Sequence, residues 1–211
     1  MPFQFLLLPG EIRNQILRLL LTHKTPIITR SANQLAPHKP NSLCIWPNIL
    51  LTSRRIYNEG FSFLYSENTF QAHPSYLTSI LFAIDPTRTV TAPLCMAMIR
   101  RFHIRVRLDC DPFYDIEDVA KAFNGADSLE VEVFRSSWAI GGYHALEGFT
   151  DVQGVKKAKV HGSVGSRFAK WLEKTMQTPV GVEAEACEGD DEFGWVGNSD
   201  LDDGSPWNHD R

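Results

Sequence analysis

The sequence predicts an α/β fold in which a helical N-terminal section precedes a short parallel sheet. Two stretches in the first half place apolar residues at helical spacing. Three short segments in the second half alternate apolar and polar residues, as half-buried strands do. We expect one α/β domain over residues 1–179, with a helical section at 5–70 and a β/α repeat section at 98–179, followed by a tail at 180–211.

The composition is ordinary for a soluble globular protein. The 211 residues are 43% hydrophobic, and no apolar run approaches the length that spans a membrane. The apolar start of the chain lacks the basic stretch and the cleavage pattern of a secretory signal. The four cysteines are scattered and form no CxxC pair, so we expect a reducing cytoplasmic or nuclear compartment.

The run FLLLPGEIRNQILRLLL, residues 5–21, predicts the first helix. Pro9 suits a first helical turn, where the N–H that proline lacks would have no partner. Ile12, Ile16, Leu19 and Leu20 then recur at helical spacing and share one face.

A second helix is predicted to begin near Pro47, after a proline-marked loop over residues 22–47. Two neighbouring faces of this helix are apolar, so we expect it to pack between two layers. These faces carry Leu50, Tyr57, Phe61 and Leu64 on one side and Ile49, Ile56 and Phe63 on the other. Residues 66–68 form a turn, and residues 69–72 begin a strand.

Both helical stretches resemble a known family. The pattern Leu-Pro-x-Glu-Ile of residues 8–12, followed by further apolar residues at helical spacing, resembles the F-box. It also resembles the opening of the two-EXR-motif domains of fungal proteins, in which Glu11-Ile12-Arg13 is the first such motif. The stretch ILLTSRRIYNEGFSFLYSENTF resembles the segment that follows this helix in the same fungal proteins.

This resemblance implies a docking role for the first helix. In F-box proteins the N-terminal helices bind a Skp1-like adaptor, and a repeat domain presents a substrate protein to a cullin-based ubiquitin ligase. By this resemblance Leu8, Pro9, Ile12, Ile16 and Leu20 contact the adaptor. The alternative, which we weigh equally, is that these residues pack on the first strand as the cap that a solenoid needs at its end.

The β/α repeat section contains three predicted strands, at residues 100–109, 129–133 and 157–161. A helix capped by Asp115 and ended by Asn124-Gly125 separates the first two, and a last helix capped by Ser163 ends before Pro179. An offset of about 28 residues between strands is in the range of leucine-rich-like solenoid units. The inward residues are Phe102, Ile104, Val106, Leu108, Leu129, Val131, Val133, Ala158 and Val160.

We expect these strands to be parallel neighbours in chain order, with helices on one side and a polar surface on the other. Opposite charges then face each other on the polar side, which supports the sheet and explains the charges without a ligand. The order across the strands is Arg105 and Arg107, then Glu130 and Glu132, then Lys157 and Lys159.

Motifs for catalysis are absent from the sequence, so we expect no enzyme, no cofactor and no metal. The chain has no GxSxG elbow, GxGxxG loop, P-loop or HExxH helix, and its histidines and cysteines lack metal-ligand spacing. The segment Gly162-Ser163-Val164-Gly165 has the form of a helix start that holds an anion. A serine cap beside turn glycines accounts for it equally well, and we favour that explanation.

Nucleic-acid or anion binding is the alternative function. Arg101, Arg105 and Arg107 form a basic strand of the kind that meets phosphates. Glu130 and Glu132 beside them neutralise part of this charge, and no aromatic residues interleave with the arginines for base stacking. We therefore favour a non-enzymatic protein-interaction module over a nucleic-acid binder.

The net charge of −4 hides a strong asymmetry along the chain. Residues 1–110 carry 12 Lys+Arg and 5 Asp+Glu, whereas residues 180–211 carry 1 and 10. The tail has little periodic apolar pattern, so we expect an acidic, disordered and solvated segment. Its Phe193, Trp195 and Trp207 leave open that it binds a partner or folds back on the basic half.

Overall fold

The computed structural model describes residues 4–23, 45–72, 77, 81–82, 89–90, 92–108, 114–135 and 143–185. Within these ranges the chain is a mixed α/β protein with four parallel strands, which confirms the predicted class. Most of the proline-marked loop and the tail beyond residue 185 lie outside the described residues, and so do the predictions made for them.

The helices and strands have the following bounds. The α-helices are α1 (Gly10–Leu21), α2 (Arg54–Ser66), α3 (Pro93–Met98), α4 (Ile116–Phe123) and α5 (Ser166–Gln177). Short 3-10 helices cover Phe5–Leu7, Pro47–Leu51 and Tyr143–Phe149. The strands are β1 (Phe70–Ala72), β2 (Leu81–Phe82), β3 (Thr89–Val90), β4 (Arg101–Arg107), β5 (Ser128–Phe134) and β6 (Ala158–Gly162).

The strands form one sheet in the order β3-β2-β1-β4-β5-β6. Strands β1, β4, β5 and β6 are parallel, while β2 and β3 are antiparallel additions beside β1. Ile104 lies opposite Val131, and Val131 lies opposite Val160, so the three predicted strands are neighbours in chain order as expected. The sequence indicated β1 but not its position beside β4. It did not indicate β2, β3 or α3.

The inward side chains of β4, β5 and β6 form the main core with α4, α5 and the 3-10 helix Tyr143–Phe149. Each of the nine inward residues predicted from the alternation is buried. Phe123 of α4 lies 5.2 Å from Phe102 and 6.1 Å from Phe149 between ring centroids. Truncating a buried ring of this kind to alanine costs about 3–5 kcal/mol, so this layer supplies much of the free energy of folding.

Strand β6 ends the sheet, and two residues shape that end. Glu173 of α5 accepts a hydrogen bond from Val160 N (2.7 Å), which satisfies an amide of the edge strand. Gly162 has a φ of +106°, and a Cβ at that position would lie 2.0 Å from Val133 O. Only glycine fits there, because the chain leaves β6 in contact with the backbone of β5.

The starts of α4 and α5 differ in how well the sequence predicted them. Helix α5 begins after Gly165 and not after Ser163, because Ser163 N still donates to Val133 O (2.7 Å) of β5. Asp115 precedes α4 as predicted, and Asn124 and Gly125 end that helix, but the Asp115 side chain makes no capping hydrogen bond.

Helices α1 and α2 form a second, smaller core with the 3-10 helix Pro47–Leu51. Leu17 and Leu21 of α1 face Gly60 of α2, where an added Cβ would lie 2.9 Å from Leu21 Cδ1 and 2.8 Å from Leu50 Cδ2. Gly60 therefore lets the two helices approach closely. Tyr65 packs against both cores and joins them.

The predicted second helix is in fact two elements. The 3-10 helix Pro47–Leu51 comes first, and α2 begins after Ser53, whose side chain accepts a hydrogen bond from Arg55 N (3.2 Å). A serine N-cap stops the first element from running on into the second, because its backbone is extended.

Candidate protein-docking surface

The docking residues predicted from the sequence lie on α1 and on the turn before it. Pro9 occupies the N-cap position, one residue earlier than predicted, and Gly10 is the first helical residue. The carbonyl oxygen of Pro9 accepts the first helical hydrogen bond, from Arg13 N (3.1 Å). The fixed φ of proline restricts the direction from which residues 6–8 lead into α1.

Arg13 is buried and joins three parts of the helical section. Its Nη2 and Nε donate to Glu59 Oε1 (2.6 Å) and Oε2 (2.8 Å) of α2. Its Nη1 donates to the carbonyl oxygens of Leu8 and Leu6. A guanidinium that binds both oxygens of a carboxylate makes one of the strongest charged contacts in proteins, so the N-terminal turn, α1 and α2 are held as one unit.

Glu59 is the shared partner of two arginines. Arg55 Nε also donates to Glu59 Oε1 (3.1 Å). The hydrogen bond from Arg13, supported by Arg55, lowers the pKa of Glu59 from its ordinary value of 4.5 to about 2. The carboxylate is therefore charged over the whole range in which proteins normally work.

The predicted docking residues are divided between the open side of α1 and its edge. Pro9 and Ile12 are exposed, with 42% of the Ile12 surface accessible, while Leu8 and Ile16 are half-buried. Leu20 packs partly against the core of the helical section. The fully buried face of α1 consists instead of Arg13, Leu17 and Leu21.

Two exposed leucines near these residues were missing from the predicted contact set. Leu7 is 77% exposed and Leu19 is 80% exposed. Leu19 follows Ile12 and Ile16 at helical spacing, so periodicity placed it on the correct face. Leu7 precedes the helix, and no periodic signal in the sequence could identify it. We call Leu7, Ile12, Ile16 and Leu19 the α1 outer face.

Further apolar side chains are exposed on the neighbouring 3-10 helix and on α2. Trp46, Leu51 and Tyr57 are more than two-fifths exposed. Trp46 N donates to Leu20 O (2.8 Å), which brings Trp46 to the C-terminal end of α1. The helical section thus exposes apolar residues at both ends of α1.

The arginines of the alternative function lie along β4, at Arg101, Arg105 and Arg107. Arg105 Nε is 3.1 Å from Glu132 Oε2, and its guanidinium lies 4.8 Å from the centre of the Phe134 ring. Arg101 Nη1 donates to Glu67 O (3.0 Å). Arg107 was predicted to lie opposite a glutamate, but it lies opposite Phe134. Arg101 and Arg105 are therefore used in contacts within the fold, which weighs against a surface built for phosphates.

The opposite charges predicted across the polar side of the sheet are present in part. Arg105 lies opposite Glu132, and Glu130 lies opposite Lys159. Glu130 Oε1 is 3.0 Å from both Lys159 Nζ and His161 Nε2. Lys157 lies just before β6 and so outside these pairs.

His103 is the one polar side chain of β4 that is almost fully buried, with 1% of its surface exposed. Its Nε2 lies 3.4 Å from Glu132 Oε2, yet neither ring nitrogen makes a hydrogen bond of good geometry. Burial lowers the pKa of His103 below its ordinary value of 6.5, against the attraction of Glu130 and Glu132. In the described part of the chain no group of three or more histidine, cysteine or acidic residues is arranged to hold a metal ion.

Comparisons with known proteins give no relative. The sequence matches no protein-family model, no curated protein and no solved structure. Among the described residues, no helix is both long enough and apolar enough to cross a membrane.

Proposed function

We propose that the protein is a non-enzymatic protein-interaction module that docks a partner through the α1 outer face. The observation that carries this proposal is the exposure of Leu7, Ile12 and Leu19 at 77%, 42% and 80%. Soluble proteins seldom leave a contiguous apolar surface open unless it binds something. An amphipathic helix that presents one apolar face to a groove is a common mode of protein recognition.

The packing of α1 supports docking over capping. The inner face of α1 contacts α2 and the 3-10 helix Pro47–Leu51, through Leu17, Leu21 and Leu50. Among the described residues, no side chain of α1 belongs to the buried cluster of the sheet. A helix that capped the first strand would bury its apolar residues there, so the α1 outer face is better suited to a separate partner.

The partner we propose is a Skp1-like adaptor, and the role is that of an F-box-type substrate adaptor of a cullin-based ubiquitin ligase. The Leu-Pro-x-Glu-Ile pattern and the resemblance of residues 5–70 to fungal F-box-like and two-EXR-motif proteins support this role. The contact of Arg13 with Glu59 also supports it, because it joins the two stretches that carry the resemblance. The leucine-rich-like sheet would then present the substrate protein.

A binding experiment on the full chain tests both levels of the proposal. Binding to a purified Skp1-like adaptor is measured by calorimetry for the wild-type chain and for the Ile12→Glu/Leu19→Glu double variant. We expect the double variant to bind at least tenfold more weakly while its melting temperature changes by no more than a few degrees, because exposed positions tolerate charge.

Leu51→Glu is the matched control, since Leu51 is 83% exposed on the helical section but lies outside α1. We expect it to bind the adaptor like the wild type. Absence of binding by the wild-type chain would reject the Skp1-like partner. Equal binding by the wild type and the double variant would reject the α1 outer face as the docking site.

A further inference from the structure

The chain folds back on itself after α5. Pro179 O accepts a hydrogen bond from Val182 N (3.1 Å), and Gly181 has a φ of +85°, which together make a turn. Gln153 holds this turn from both sides. Its Oε1 accepts from Gly181 N (2.8 Å), and its Nε2 donates to Val182 O (2.9 Å).

Glu185 then contacts α5 well before the end of that helix. The carbonyl oxygen of Glu185 accepts a hydrogen bond from Trp171 Nε1 (2.8 Å), and its carboxylate lies 2.7 Å from Lys174 Nζ. The hydrogen bond to Lys174 lowers the pKa of Glu185. Because the chain passes from the turn at Pro179 back to Trp171, residues 182–185 run antiparallel to α5, towards its N-terminus.

Basic residues lie on α5 in the direction that the chain takes. Lys174, Lys170 and Arg167 recur at helical spacing on one side of the helix, and all three are exposed. The N-terminus of α5 lies beyond them and carries the positive end of the helix dipole. We call these three residues the α5 basic face.

The chain that continues from Glu185 has the opposite charge. Residues 186–211 carry 8 Asp+Glu and 1 Arg, and the run from Glu188 to Glu192 is followed by Phe193 and Trp195. An α-helix rises about 1.5 Å per residue, so Lys174 and Arg167 are separated by about 10 Å along the axis. About three residues of extended chain cover that distance, so a chain that continued in the same direction from Glu185 would reach the level of Arg167 at Glu188.

We propose that residues 186–195 bind the α5 basic face of the same chain. Glu185 is the first contact of this series, and the following carboxylates pair with Lys170 and Arg167. The half-buried ring of Trp171 lies on Phe168, 5.3 Å between centroids, and offers an aromatic surface beside the charges. The α5 basic face is thus a site for an acidic peptide that contains aromatic residues, and the protein's own tail occupies it. This proposal does not depend on docking through α1.

Zero-length carbodiimide cross-linking of the full chain, followed by mass spectrometry, tests the proposal. The reagent joins a lysine amine to a carboxylate only when the two are in contact. We expect cross-links from Lys170 and Lys174 to residues 188–192 in dilute protein at low salt. We expect their yield to fall several-fold at about 0.5 M salt, because the Debye length is then only about 4 Å and the attraction between the tail and the helix is screened.

Charge reversal gives the matched variants. Lys170→Glu should reduce the cross-links between Lys174 and residues 188–192 several-fold, because the remaining basic face is weakened. Lys156→Glu is the control, since Lys156 is exposed on a different part of the surface, beside Asp127. It should leave these cross-links unchanged.

Three outcomes would overturn the proposal. Tail carboxylates could cross-link to Lys121 and Lys156 as often as to α5, which would mean that the tail has no fixed site. They could form no cross-links to α5 at all. Mixing of ¹⁵N-labelled and unlabelled chains could give mostly mixed cross-links, and then a second copy, not the same chain, would occupy the α5 basic face.

Discussion

The helical section (residues 5–70) and the β/α repeat section (residues 98–179, called here the sheet section) differ in where they place their apolar side chains. The sheet section buries every inward aliphatic side chain of β4, β5 and β6. The helical section has a smaller apolar core around Leu17 and Leu21, buries Arg13 in contact with Glu59 and leaves Leu7 and Leu19 on its surface. The apolar residues of the sheet are therefore needed for folding, whereas those of the α1 outer face are exposed and, as we propose, serve recognition.

The sharpest test of this contrast introduces the same charge in both sections. Val131 is fully buried in the middle of β5, between β4 and β6, so Val131→Asp places an unpaired carboxylate among apolar side chains. We expect a loss of more than about 4 kcal/mol in the free energy of unfolding, enough to unfold the domain. Denaturant titration followed by circular dichroism measures it.

Leu19→Asp is the matched change in the helical section. Its exposed position should limit the loss to about 0.5 kcal/mol. If both variants were equally stable, or if Leu19→Asp unfolded the protein as well, the contrast between the two sections would not hold.

The second prediction concerns how closely the two helices of the helical section pack. A Cβ at Gly60 would come within 2.9 Å of side-chain atoms of Leu21 and Leu50, so the branched side chain of Gly60→Val must push α1 away. We expect a loss of about 1–3 kcal/mol by denaturant titration. Asn58→Val, on the exposed side of the same helix, should cost less than about 1 kcal/mol. A stable Gly60→Val protein would mean that α1 is held more loosely than its contacts indicate.

Much of the sheet section followed from the sequence because alternation reports burial directly. The pattern from Phe102 to Leu108 and that from Leu129 to Val133 gave the strands, their inward faces and their order. The pairing of β1 with β4 could not be predicted, because a strand of three residues carries too little pattern to choose a neighbour.

The helical section was predicted less well, for a different reason. Helical spacing identified α1 but ranked its faces by hydrophobicity, and so it did not anticipate that Arg13 lies on the buried face. The partner that makes this burial possible, Glu59, is 46 residues away in the chain. No local pattern reports a contact of that kind.

The two sections should lose stability at different pH values as the solution is made acidic, and the sheet section should be affected first. His103 is buried, and its pKa in the folded protein lies below the ordinary 6.5. As the pH falls below 6.5, the unfolded chain binds a proton at this histidine before the folded protein does, so the folded state loses stability. We expect the advantage of the wild type over His103→Gln in unfolding free energy to shrink from about pH 6.5 downwards.

The second step concerns the helical section. Glu59 has a pKa of about 2 in the folded protein and an ordinary value of 4.5. Its contribution is fully present above pH 4.5 and is lost as the pH falls towards 2, because the unfolded chain takes up the proton first. The difference between wild type and Glu59→Gln should stay constant from pH 7 to 5 and shrink only below 4.5. A difference that did not shrink below pH 4.5 would mean that Arg13 does not hold Glu59 in solution, because a carboxyl with an unshifted pKa adds no pH dependence to stability.

The smallest effect is expected at the exposed ion pair on the polar side of the sheet. Lys159 Nζ lies 3.0 Å from Glu130 Oε1, but the lysine side chain is more than half exposed and water screens the attraction. His161 Nε2 contacts the same oxygen, so Glu130 keeps a neighbour when the lysine is removed. Lys159→Ala should therefore cost less than about 1 kcal/mol in unfolding free energy.

In a double-mutant cycle of Lys159→Ala with Glu130→Gln, the coupling energy should weaken as salt is added, since exposed charges are screened. A coupling of several kcal/mol that salt did not change would put this pair in the class of Arg13 with Glu59, and the two sections would no longer differ in how they use charge.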